Sequence, residues 1–479
     1  MSPGIATEGR AARRRVSRDV RLFWWASASD ALGTQASGVV LPLLLLGLGH
    51  SAAVVGLVAG VSTAAGLLLA PLAAVPADRG ARKPVMFWSA TVSALAMAGV
   101  AASAAAGSPP LTLLLGAVLV ERFSTAVYEA AAAGTVTMIA PPADCPRVVA
   151  GLSAGEQGAL ILGPALGGAL YQVGRALPFL ADAVTYAVAA GCVRALGSDL
   201  RPDTRAASQA KGPAPDGAHR GDAAPGPMPI ALDGPPAVGQ TAPPPIALDG
   251  PQAVGESASG VPAARPADAT RSPRPGHVTR IRDELGAGLA LVRTSPTLRL
   301  VVTWTATVNG VIVALYYGAV FTLQKSGHGG WPMGLVLALS GAAGLAGSLA
   351  APRLAGRIDA ARLLVTVTWL LVPLAAGLAT ADGPWTYGAL FGVFCLLMPL
   401  VAVVLQSRAL QETPPGLQAR TGAVLASAVG GSAALAPVLA GAVVTRAGTA
   451  APAVVCAGVL AALAWRTTAV RARLTGATA

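Results

Sequence analysis

About twelve apolar runs follow one another along this chain, each long enough to cross a bilayer, and they restrict its fold more than anything else in it. A bilayer core takes roughly 20 mostly apolar residues per helical span. The runs lie near 22–48, 52–76, 84–106, 110–139, 148–172, 177–196, 299–323, 332–351, 363–380, 385–407, 417–445 and 450–469. Of the 479 residues 54% are hydrophobic and only 12% charged, whereas an average soluble domain carries about 25% charge. A water-soluble fold of this length has no way to cover so much apolar surface. The pattern predicts an all-α integral membrane protein with twelve transmembrane helices.

A repeat divides the twelve into six and six. The segment Pro141–Leu170 reappears as Pro414–Val443 at one constant offset, without a gap. Pro141/Pro414, Pro142/Pro415, Arg147/Arg420, Gly158/Gly431, Leu162/Leu435, Pro164/Pro437, Leu166/Leu439 and Gly168/Gly441 coincide. Parallel repeats of membrane helices characterise one type of secondary transporter. The first copy keeps Glu156, Gly163 and Gly167 where the second has Val429, Ala436 and Ala440, so coupling chemistry is expected in the first half.

The resulting organisation is a basic tail (1–21), a six-helix bundle (22–196), a linker (197–279), an amphipathic surface helix (280–298), a second six-helix bundle (299–469) and a short tail (470–479). The linker is rich in Pro, Gly and Ala and repeats PIALDGPPAVG (Pro229–Gly239) as PIALDGPQAVG (Pro245–Gly255). Such a composition buries too little apolar surface to order itself. It reads as a tether, with partner docking as the alternative.

The net charge of +12 suggests nucleic acid until its distribution is considered. With the N-terminus inside, most Arg and Lys fall on the inner face, and the outer loops receive little beyond Arg175, Lys325 and Arg446. That is the positive-inside pattern, and it predicts both termini in the cytoplasm. Cys145, Cys192, Cys395 and Cys456 are scattered without a CxxC pair, and the four His fall in loops. Neither metal, cofactor nor enzyme chemistry is expected from that inventory. A GxxxxGK[ST] loop for nucleotide is also missing from the sequence.

Between spans two and three stands AVPADRGARKPVM, Ala74–Met86, a short turn in which a carboxylate can accept hydrogen bonds from Arg or face a helix N-terminus. It resembles the signature loop of the major facilitator superfamily through Asp78, Arg79, Arg82 and Lys83. Ala74 replaces the first glycine of that signature, and the second is displaced to Gly80. GPALGG in span five (Gly163, Pro164, Gly167, Gly168) resembles the Gly-Pro-x-x-Gly-Gly element of the superfamily's exporters, which is associated there with antiport. Val16–Gln35 and Gly174–Val188 are similar to a drug-exporter branch that includes macrolide and enterobactin effluxers. The resemblance implies the major facilitator fold, two six-helix pseudo-symmetric bundles, and a gating role for the charged loop.

Ionisable groups inside a bilayer are costly enough to be functional hypotheses by default. Asp30 lies roughly 12 Å into span one at 1.5 Å per residue, with Ser27, Thr34 and Ser37 on its face. Glu121 and Arg122 occupy span four, where adjacent residues point about 100° apart and are not expected to pair. Arg122 instead shares a face with Thr125 and Glu129. Asp30, Glu121, Arg122, Glu129 and Glu156 are the proton-coupling candidates, while Asp182 reads as structural. Thr34, Gln157, Asn309, Tyr316 and Gln406 are the cavity candidates. Trp24, Trp25, Trp331, Trp385 and Trp465 sit at span ends, as interfacial anchors do.

The expectation is a monomeric, multi-pass exporter of a small organic molecule in the bacterial plasma (inner) membrane, working by proton antiport. Its partners are the substrate, protons and lipid. An importer or uniporter of the same fold is one alternative, and a non-transporting receptor or scaffold using the linker is another.

Overall fold

A computed structural model of the chain describes residues 17–78, 82–107, 109–141, 144–198, 200, 286, 289–327, 330–355, 359–381, 383–414 and 417–476. Twelve long helices account for most of them. In the first half these are α1 (Arg18–Gly47), α2 (Ala52–Asp78), α3 (Arg82–Ala105), α4 (Leu111–Ala133), α5 (Cys145–Val173) and α6 (Leu177–Arg194). In the second they are α7 (Pro296–Lys325), α8 (Trp331–Ala355), α9 (Ala360–Gly377), α10 (Pro384–Glu412), α11 (Gln418–Ala447) and α12 (Ala451–Gly476). Helices are the form available because, without water, every backbone N–H and C=O must be satisfied within its own segment. Hydroxyls on the spans follow the same rule by donating back one turn. Ser62 donates to the Val58 carbonyl at 2.7 Å, and Ser340 to that of Val336 at 2.8 Å.

Eleven of these helices are long and apolar enough to cross a membrane. α5 is not among them, and its six glycines, Glu156 and Gln157 dilute its apolar character. At 29 residues it is nevertheless longer than α4 (23) and α6 (18).

The two halves begin alike. Ser17 caps α1 by accepting from the Val20 N–H at 3.2 Å, and Ser295 caps α7 by accepting from the Leu298 N–H at 3.2 Å. Each cap satisfies one of the orphan donors of a helix start.

Several sequence boundaries move. Span four ends at Ala133 with Gly134 as its C-cap, and a separate turn, Val136–Ile139, follows where one helix was expected to continue to 139. α12 runs to Gly476 rather than giving way to a tail at 470. The linker does not start at 197: Asp19 accepts from the Gly197 and Ser198 N–H groups, at 3.1 and 2.8 Å, and Leu200 is buried. Of the expected surface helix at 280–298, residues 289–294 are helical, and Ser295 separates them from α7; 280–285 lie outside the described residues. Residues 203–276 of the linker lie outside them as well.

Trp24 is not a simple interfacial anchor. Its indole N–H donates to the Val148 carbonyl at 3.0 Å, stitching α1 to α5, and Gly151 leaves the room for its ring. Trp25, Trp331, Trp385 and Trp465 remain exposed, as interfacial residues would.

Candidate functional site

The first half has two apolar cores with a polar layer between them. One core includes Phe23, Met86, Tyr128 and Val193, towards the end that holds the N-terminus of α1. The other includes Val39, Leu43, Leu114 and Phe179, towards the opposite end. On α1 the residues between are Ser27–Ser37, on α4 they include Glu121 and Thr125, and on α6 Asp182 adjoins the layer. Intervening residues of the same helices thus put polar groups at one depth.

The geometry of that layer corrects the expected pairing. Glu121 and Arg122 do form an ion pair, with Arg122 Nε 3.6 Å from Glu121 Oε2. The long guanidinium stem bends back across the angle that separates adjacent helical positions. Thr125 donates to Glu121 Oε1 at 3.2 Å, so it serves the carboxylate and not Arg122. The Glu121 side chain is 5% accessible and that of Arg122 is 38% accessible, so the pair has a sealed end and an open end.

Tyr186 of α6, which sequence reasoning missed, completes the layer. Its hydroxyl donates to Glu121 Oε1 at 2.7 Å and lies 3.0 Å from Thr34 Oγ1 on α1. Three helices are joined through this one phenol. Its position in an ordinary apolar span left no signal beyond its being a tyrosine four residues after Asp182.

Asp182 is fully buried. Its carboxyl occupies a notch on α1 left by Gly33, where an added Cβ would come within 3.2 Å of Asp182 Cγ and would overlap its Oδ1 and the Thr185 hydroxyl. Neither carboxyl oxygen has a hydrogen-bond partner in this arrangement. The neighbouring Ser37 and Thr185 hydroxyls donate instead to backbone carbonyls, those of Gly33 at 3.1 Å and Asp182 at 2.8 Å.

Two cavities adjoin the layer. The first, about 620 Å³, is bordered by α1, α4 and α5 and lined by Ser27, Asp30, Thr34, Tyr128, Glu129 and Glu156 among others. The second, about 530 Å³, lies between the halves and is neutral, with Gln157, Tyr316, Ser340, Phe391 and Met398 in its wall. Gln35 lines both. The Tyr316 hydroxyl donates to the Gly38 carbonyl across the halves at 3.4 Å. Of the expected cavity residues, Thr34, Gln157 and Tyr316 are therefore brought to these spaces. Asn309 and Gln406 line neither cavity.

Among the described residues, the buried polar side chains of the second half are hydroxyls and none is charged. The Trp304 indole donates to Thr368 at 3.0 Å, and the Tyr387 hydroxyl to the Leu315 carbonyl at 2.8 Å.

The small residues of span five work on two sides. An added Cβ at Gly163 would meet Gln35 Cβ at 2.6 Å, and one at Gly167 would meet the Ala36 carbonyl at 2.5 Å, so both face α1. Gly168 faces the other half, where a Cβ would meet the Gly330 carbonyl at 2.6 Å. Of the charged loop, Arg79 and the Asp78 side chain lie outside the described residues. Arg82 donates to the Gly134 carbonyl and to Met138 Sδ, the latter at 3.1 Å, and Lys83 donates to the Leu196 carbonyl. Both cations thus sit at the ends of α4 and α6, where the helix dipole is negative.

Two six-helix halves around a neutral cavity, with buried carboxylates among the described residues of the first half only, have the architecture of a membrane transporter built from parallel repeats. The sequence matches the Major Facilitator Superfamily over residues 23–429. The chain belongs to that superfamily and is a transporter rather than an enzyme. Among solved structures it is similar to the nucleoside transporter NupG (TM-score 0.61, 13% identity, covering 95% of this chain and 98% of that one). It is also similar to the human organic anion transporter MFSD10 (TETRAN), with TM-score 0.54, 16% identity and coverage of 94% and 99%. A third is a bacterial homolog of the human lysosomal transporter Spinster, in an inward-facing and unoccupied conformation (0.60, 13%, 95% of each chain). At these identities the likeness concerns the fold. No curated protein matches the sequence.

Proposed function

We propose that the protein exports a small organic molecule by alternating access, driven by proton antiport, and that it belongs to the drug-exporter branch. The observation that carries this reading is the junction at Gln35. There a cavity bearing Asp30, Glu129 and Glu156 meets a neutral cavity between the halves. Carboxylates facing a space in the bundle can take up and release protons, and a neutral, largely apolar wall suits an organic cargo. Protonation and cargo binding then compete for the same small region, which is the requirement for exchange.

The setting is the plasma membrane of a bacterium with both termini in the cytoplasm, by the positive-inside distribution. In that orientation the contacts of Gly168 with Gly330 close the outer end. The carboxylate cavity, bordered by Ser27 of α1, Ala132 of α4 and Leu152 of α5, lies towards the inner end. The charged loop and the span-five glycines serve the rocking of the halves.

The test is transport in vesicles of the purified protein under an imposed proton gradient, with a panel of macrolide-like, siderophore-like and dye compounds. Wild-type protein should accumulate at least one of them against its gradient, and Asp30→Asn should abolish that accumulation while leaving binding. Uptake that ignores the proton gradient would exclude antiport.

A further inference from the structure

We propose that Thr34 and Tyr186 form a hydroxyl relay that carries a proton between the Asp30 cavity and the otherwise sealed carboxylate of Glu121. The inference deepens the proton-antiport reading and rests on it for its physiological meaning.

Glu121 is the carboxylate with a cation beside it, yet its own side chain is almost inaccessible. A proton exchanging there needs a path. The Tyr186 hydroxyl, itself buried, touches Glu121 Oε1 at 2.7 Å and Thr34 Oγ1 at 3.0 Å. Thr34 in turn lines the cavity that holds Asp30, Glu129 and Glu156. Both links are at hydrogen-bond distance, so the path from Thr34 at the cavity wall to Glu121 is continuous.

The step balances. A proton arrives at Thr34 Oγ1 from cavity water or the Asp30 carboxyl. Thr34 passes its own proton to the Tyr186 oxygen, and Tyr186 passes its own to Glu121 Oε1. One proton enters and one arrives, and both hydroxyls remain intact with their hydrogens turned. Thr34 Oγ1 also lies 3.0 Å from the Asp30 carbonyl, so its hydrogen has a second acceptor. When Thr34 donates there, the relay is interrupted; when it donates to Tyr186, the relay passes the proton.

The consequence falls on Arg122. A protonated Glu121 no longer neutralises the guanidinium that stands 3.6 Å from its other oxygen. From the remaining packed elements Asp30 (α1), Glu156 (α5) and Asp182 (α6) share this region. Tyr186 itself receives and gives up a proton in this step, so it is a member of the relay.

Infrared difference spectroscopy after a pH jump tests the relay on the purified full-length protein, without cargo. Acidification should raise a protonated-carboxyl band that is missing in Glu121→Gln. In Tyr186→Phe that band should reach the wild-type amplitude but rise more slowly, on the order of a hundredfold, the usual size of one positioned proton-transfer group. Thr34→Val should slow it similarly, and it carries the test if Tyr186→Phe does not fold. An unchanged rate in the variants, or a spectrum unaltered by Glu121→Gln, overturns the proposal. A lost amplitude with an unchanged rate does so too, because it marks Tyr186 as merely structural. Gradient-driven flux of the wild type is read separately, so failure of the antiport reading and failure of the relay are distinguishable.

Discussion

The carbonyl oxygen of Pro437 lies so close to Gly56 that a Cβ at Gly56 would overlap it. The carbonyl of Pro164 stands in the same relation to Gly334. Pro164 and Pro437 are the matched prolines of the repeated segment. One further offset carries Gly56 to Gly334, and Ser17 to Ser295 as well. The repeat therefore forms two crossings between the halves, α5 on α8 and α11 on α2, at the end of the molecule away from the first helix N-terminus. Each proline lacks the N–H of an ordinary helical residue, while the glycine opposite lets the backbone approach.

Replacing either glycine should open that end. Gly334→Leu or Gly56→Leu inserts side chain where backbone now touches backbone, at a cost of about 1–3 kcal/mol of the kind overpacking brings. Spin labels at His50 and Gly448 should report a longer and broader distance in Gly56→Leu than in wild type. Identical distributions would mean that this contact does not hold the halves together.

The two copies of the repeat should respond unequally to equal changes in size. Gly163 and Gly167 admit α1 against α5, whereas Ala436 and Ala440 are buried in the second half. Gly163→Ala is expected to lower stability by about 1–3 kcal/mol, since Gln35 Cβ, fixed to the α1 backbone, stands in the way. Ala436→Gly is expected to cost about 0.5–1 kcal/mol, the usual backbone effect within a helix. Thermal melts in detergent decide; equal losses would remove the asymmetry.

The Asp182 notch predicts a sharp difference between two substitutions. Asparagine has nearly the shape of aspartate and carries no charge, so Asp182→Asn should fold with its melting temperature little changed. Gly33→Val fills the notch and should destabilise the protein by about 1–3 kcal/mol. If Asp182→Asn unfolds the protein and Gly33→Val does not, the carboxyl is held by something other than this fit.

Shortening the linker should leave the transport unit intact. The described residues 17–200 and 289–476 fall in one compact unit by their own contacts. Replacing residues 203–276 with a flexible Gly/Ser tether should leave the melting temperature unchanged, provided Leu200 is retained in its core. A drop of several degrees would assign the removed segment a packing role.

Much of this was legible in sequence. Burial in lipid demands long apolar helices, and so eleven spans stand out by hydropathy, with ends wrong by a few residues, while α5 is marked by its place in the repeat. The duplicated proline-glycine segment announced the two halves for the same reason: close helix crossings accept few residue types. The error over Glu121 and Arg122 has a different origin. Helical spacing describes where Cβ atoms point, and a long guanidinium stem need not follow its Cβ direction.

What the sequence by itself determined, then, was the membrane class, the six-plus-six division and the concentration of charge in the first half. Each depends on local composition or on order along the chain. Only the tertiary structure decided that Tyr186 joins Thr34 to Glu121, that Asp182 fills the space of Gly33, and that Gln35 borders two cavities. Those relations depend on how far each helix is rotated about its axis. That rotation is set by the combined packing of all its neighbours, and no residue spacing within one helix encodes it.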